Sequence, residues 1–164
     1  MLGESRGVVI ADAAEHAEVG VKSIRRNRLE LRSHISQQPA FGVALEPIDV
    51  GECPSVCHLM AEAAWRANVG PMAAVAGTLA EIAVADMLES GAKLAVVENG
   101  GEIAAHTLRS INAGLIVGTT PLSRRLAFKI SPETSGVATS SGRYSYPSAS
   151  GTQTPPPSSR MGPP

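Results

Sequence analysis

Apolar residues recur at helical spacing through the first third of the chain and in short continuous runs through its second half. Gly7–Ile10 reads as a short strand. Residues 11–38 read as a helix, because Val21, Ile24, Leu31 and Ile35 fall on one stripe that would face inward. Lys22, Arg25, Arg26 and Arg32 lie off that stripe, as a solvated face or one that attracts anions. Pro39 ends the helix, and Pro47 argues against a central strand over residues 41–50, which read as extended chain or loop. Pro54 is a good first-turn residue for a second helix running to Asn68. Gly70-Pro71 breaks the chain before a third helix, Met72–Glu89, rich in Ala and Gly and closed by Gly91. Lys93–Glu98 (KLAVVE) is a strand of buried type. Asn99-Gly100-Gly101 then turns the chain into a hairpin partner at 102–105. Further strands are predicted at 113–118, 126–130 and 136–139. With helices first and strands after, the expected class is α+β: about three helices packed on a mostly antiparallel sheet.

Composition narrows this. A chain of 164 residues suits one domain. The C-terminal residues 143–164 hold half of the 12 prolines and no acid. They have neither helical nor alternating pattern, so the domain is expected over 1–142 and an irregular or disordered tail over 143–164. Fourteen cations against 15 acids, net charge −1, give no electrostatic footprint for nucleic acid. Aromatics at 3% cannot assemble base-stacking platforms and leave an aliphatic core. No apolar run approaches ~20 residues, so no membrane partner is expected. Two cysteines suit a reducing cytoplasm.

Candidate chemistry is sparse. Cys53, Cys57 and His58 are too few for a zinc site, which normally needs four ligands, and no metal is expected. Ser140 and Ser141 lack a nucleophile elbow, and nothing in the spacing joins His106 to Asp86 as a triad. Three stretches carry more. Gly70, Met72, Ala73, Ala76 and Gly77 place a glycine turn at a small-residue helix start, where backbone N–H groups suit an anion such as phosphate. Asn99, Gly100 and Gly101 form a strand-end turn whose glycines let backbone approach a ligand. Thr139 and Ser140, in a hydroxyl-rich loop, suit phosphate or ribose. Taken singly, the first two are more often a helix start and a hairpin turn than ligand sites, and the third reads as a loop.

In order, GPMAAVAGTLAE, VVENGGEI and GVATSSG resemble an uncharacterised prokaryotic family of the ApbE-like superfamily, over roughly Phe41 to Gly142. Its better-known members are flavin-binding FAD:protein FMN transferases. Their helix motif Gly-x-x-Lys-Gly-x-x-x-Asp would put Ala76 on the lysine, Gly77 on the glycine and Glu81 on the aspartate. Gly100-Gly101 would match their glycine pair and Thr139-Ser140 their Thr-Ser-Gly loop. The resemblance implies FAD or FMN as the ligand. It does not extend to magnesium, because the transferases' late Asp and Thr ligands have no counterpart here. It also implies that the segment after Gly142 differs from the family, as a frameshift would make it. With suitable codons, the tail SASGTQTPPPSSRMG reads in another frame as S-L-G-D-A-D-A-A-T-V-F-A-D-G.

Two functions follow from this reading. The first is a domain binding a flavin- or nucleotide-type, phosphate-bearing small molecule, related to FMN transfer, with a transferase activity if it is an enzyme. The second is a non-catalytic domain that self-associates, as a homodimer, through its alanine–glycine helix. Small residues admit a neighbouring helix as readily as a ligand, so both stand.

Overall fold

A computed structural model describes residues 7–114 and 125–138. In chain order its elements are β1 (Gly7–Ala11), α1 (Ala14–Gln37), α2 (Pro39–Val43), α3 (Ser55–Ala67), a 3₁₀ turn (Pro71–Ala74), α4 (Val75–Glu89), β2 (Ala95–Asn99), β3 (Glu102–Thr107), β4 (Ile111–Gly114), β5 (Ala127–Ile130) and β6 (Glu133–Val137). The class is α+β, as the pattern predicts. The expected tail lies outside the described residues, as do Thr139, Ser140 and most of the strand predicted at 113–118. The described residues form two compact units, one of residues 7–29 with 76–114 and 125–138, the other of residues 30–75.

In the first unit, β1, β2, β3 and β6 form one sheet in the order β1-β2-β3-β6, and β4 pairs with β5 in a second. Every pair is antiparallel. The register puts Val9, Val97, Ala104 and Gly136 in one row across the sheet. Alternation places that row on the face under α4, where Ala80, Ala83, Val84 and Met87 pack on Ala95 and Val97. The opposite face carries Val96 and Ala105, which pack with Ile130, Ile103, Ile111 and Val137. Sequence reading thus found the core strands. It misplaced β6 by three residues at its start, because Glu133-Thr134-Ser135 carries no apolar pattern.

The inward stripe of α1 differs from expectation. Val21 is 37% exposed, whereas Ser23 and Asn27 are buried at 2% and 4%. The buried line runs through Gly20, Ser23, Asn27, Leu31 and His34, so Leu31 keeps its expected place while Val21 turns outward. A Cβ at Gly20 would lie 2.6 Å from Met87 Sδ, so the glycine lets the methionine pack closely without shifting. Asn27 tolerates burial because its Nδ2 donates to Ser23 O at 2.9 Å.

The second unit is helical. Phe41, Val56, Cys57, Met60 and Ala64 are fully buried, and the His34 ring meets Phe41 edge-on at 4.9 Å. Pro39 begins a helix here as well as ending one, since its missing N–H costs nothing in the first turn of α2. That corrects the expected loop at 41–43. Gly70 touches backbone: a Cβ would fall 1.8 Å from Ala44 O.

The helical stretch Pro71–Glu89, with mean hydropathy 1.4, is long and apolar enough by length and composition to cross a membrane, contrary to the expectation that no run is. Its residues Ala80, Ala83 and Met87 are fully buried against the first unit's sheet, so it serves as a core helix.

Candidate functional site

α4 covers the middle of the sheet but leaves its β3–β6 side open. Gly77, Glu81, Val84, Ala85 and Leu88 fall on one stripe of the helix and form one wall of a cleft of about 440 Å³. Glu102, Ala104, Thr134 and Gly136 form its floor, all within the first unit. Small-molecule sites usually measure roughly 300–1,000 Å³, so the cleft can hold one ring system and its substituents. A Cβ at Gly136 would meet only Ile103 O, at an ordinary 3.8 Å, so the floor has room at that position.

Glu102 sits half-buried at one end. Its carboxylate accepts a hydrogen bond from the Gly77 N–H, and a Cβ on Gly77 would lie 2.6 Å from Glu102 Oε2. Burial pushes the Glu102 carboxyl above its ordinary range, partly offset by that N–H. The neighbouring turn is built by polar side chains. Asn99 Nδ2 donates to Ala76 O at 3.1 Å, tying the end of β2 to the start of α4. Gly101 N donates to Glu98 Oε1 at 2.7 Å, and Gly100 and Gly101 take φ values of +67° and +97°. Left-handed backbone at both positions is what the paired glycines provide. At the far end of the cleft, Thr134 Oγ1 and His106 Nδ1 lie 3.0 Å apart across β3 and β6.

The structure therefore brings Ala76, Gly77, Asn99 and Gly101 together beside Glu102. Gly70, Met72 and Ala73 belong to the second unit, where Gly70 and Met72 are buried as packing residues. The anion at the start of α4 is the protein's own: the Gly77 N–H expected to serve a phosphate serves Glu102. Glu102 was missed because a lone Glu after Gly-Gly reads as ordinary hairpin. Thr134-Ser135-Gly136 was missed because the richer hydroxyl run five residues later drew the reading; a second Ser/Thr-Gly triplet was the available signal.

Cys57 is fully buried and its thiol is pushed up to about 12 by burial, with Cys53 and Glu30 adding to it. Such a thiol neither ligates nor attacks at neutral pH. Among the described residues, no three His, Cys, Asp or Glu side chains converge as a metal site.

A family model described as AbpE bacteria matches residues 3–151. The chain belongs to that family. It is 39% identical over 153 residues to a UPF0280 protein of Methanospirillum hungatei, covering 92% of this chain and 63% of that protein. It is 40% identical to a UPF0280 protein of Methanosphaerula palustris (84% and 59% covered) and 41% identical to one of Archaeoglobus fulgidus (84% and 57%). The chain thus spans about six-tenths of the length of the curated relatives it matches. These matches correct the expected placement as an uncharacterised family of the ApbE-like, FMN-transferase superfamily, since the relatives are UPF0280 proteins. The glycines behind that placement have local physical causes here. Gly70 admits the Ala44 backbone, Gly77 admits Glu102, and Gly100-Gly101 make a left-handed turn.

Proposed function

We propose that the first unit binds a flavin- or nucleotide-type small molecule in the cleft between α4 and the β3–β6 side of the sheet, and that the protein works in the cytoplasm. The observation that carries the reading is the half-buried Glu102 carboxyl facing an open cleft whose wall is apolar except for Glu81. Val84, Ala85 and Leu88 offer a surface for a flat ring. Glu102 offers an acceptor for a ring N–H, such as a flavin imide or an adenine amino group. A phosphate fits poorly beside Glu102, where it would meet the carboxylates of Glu102 and Glu81. Self-association through the alanine–glycine helix draws less support, because Ala80 and Ala83 already pack inside the unit.

The test is direct. Protein purified without added ligand is inspected for flavin absorbance, then titrated with riboflavin, FMN, FAD, adenosine and AMP while its melting temperature is followed. A ligand at 100 times its Kd should raise stability by about 2.7 kcal/mol. Gly77→Val should abolish that shift, because it presses on Glu102 and fills the mouth of the cleft. No shift with any of the five ligands, together with a concentration-dependent dimer, would sink the ligand reading in favour of self-association.

A further inference from the structure

We propose that Thr134, positioned by His106, receives the phosphate or other anionic group of the ligand at the end of the cleft opposite Glu102. This deepens the preceding reading and rests on it. Glu102 and His106 are four residues apart on β3 and share the face under α4, with Ala104 between them. That spacing separates the two ends of the cleft by about 13 Å at ~3.3 Å per strand residue. The cleft is therefore polarised along its length. Glu102 and Glu81 make one part acidic, while the other end carries a hydroxyl backed by an imidazole.

His106 and Thr134 are directly opposed in the antiparallel ladder, and Nδ1 lies 3.0 Å from Oγ1. With Nδ1–H as the donor, Oγ1 accepts and the threonine's own proton is left to donate into the cleft that Thr134 lines. The backbone pins this arrangement. Glu133, just before Thr134, has φ +83°, a conformation that costs a non-glycine residue free energy and persists where the surroundings enforce it. An acceptor-only group such as phosphate is what a fixed hydroxyl donor matches. An acidic group at the other end discourages the reverse orientation.

The experiment compares phosphorylated and unphosphorylated members of one ring pair, FMN with riboflavin and AMP with adenosine, by calorimetric titration. Wild type should prefer the phosphorylated member of whichever pair binds by about tenfold, equivalent to ~1.4 kcal/mol. Thr134→Val and His106→Ala should erase that preference while leaving affinity for the unphosphorylated member unchanged. Thr134→Ser, which keeps the hydroxyl, should retain the preference, and His106→Gln, which keeps a side-chain donor, should restore part of it. Equal wild-type affinity for both members, or a preference that survives Thr134→Val, assigns the pair to sheet packing and overturns the inference. Failure of every ligand to bind overturns the cleft reading beneath it, and this inference with it.

Discussion

Glu102 concentrates the conflict between folding and chemistry in one side chain. Burial raises its carboxyl above the ordinary value of 4.5, so the folded chain holds that proton more tightly than the unfolded chain does. The resulting penalty is absent below about pH 4.5, grows as pH rises through the folded value, and is constant above it. Glu102→Gln keeps an acceptor for the Gly77 N–H and removes the charge. The variant should therefore melt higher than wild type at neutral pH, with the gain vanishing in acid, by thermal melts across pH. A constant gain at every pH would mean that charge burial is not its source. Gly70 makes a contrasting case at the same scale. Its absent Cβ would overlap Ala44 O, and the clash is with backbone, which cannot swing aside. Gly70→Ala should cost at least the ~1–3 kcal/mol of ordinary overpacking, measured by urea denaturation. An unchanged midpoint would show that the 42–46 segment moves freely.

Among the elements, legibility followed the strength of the local pattern. The helices α1 and α3 and the strands β2 and β3 were legible because period and punctuation agreed: Val, Ile and Leu at helical spacing, Pro54 before α3, KLAVVE before a Gly-Gly turn. The buried line of α1 was not, because Gly20 and a self-satisfied Ser23–Asn27 pair overrode hydrophobicity. The site was half legible. Its glycines could be read in sequence, since left-handed turns and close approaches demand them. The groups around them could not, since Glu102 meets the Gly77 N–H only once α4 packs on the sheet, and His106 meets Thr134 only once β3 and β6 pair. Asn99 is the joint between these levels. It is 5% exposed, and its Nδ2 holds Ala76 O while its backbone closes β2. Asn99→Ala should cost about 0.5–1.5 kcal/mol, the net worth of one hydrogen bond, since Ala76 O keeps its place in the helical ladder of α4, and should loosen the start of that helix. Hydrogen exchange at Gly77–Ala80 should quicken before that at Val84–Leu88. Uniform exchange along α4 would deny Asn99 this anchoring part.

For the molecule as a whole, the two units differ in kind, and the cysteines give a chemical readout of the helical one. The first unit holds the sheet, the cleft and every group assigned to the ligand. The second is built on Phe41, Val56, Cys57, Met60 and Ala64 and holds both thiols. Cys57 is fully buried, and with its thiol raised to about 12 it is almost wholly protonated at about pH 8. Cys53 is only half-buried, and burial raises it too. A thiol reagent added to the native protein should therefore label Cys53 first, and Cys57 only when the second unit opens. The native protein should show one fast-reacting thiol and the denatured protein two. Adding urea below the unfolding midpoint should accelerate the slow phase, whose rate then measures the free energy of opening. Two thiols reacting at one fast rate in the native protein would mean that the packing around Cys57 does not persist in solution. Burial, not the sequence distance between the thiols, sets the expected order of reaction.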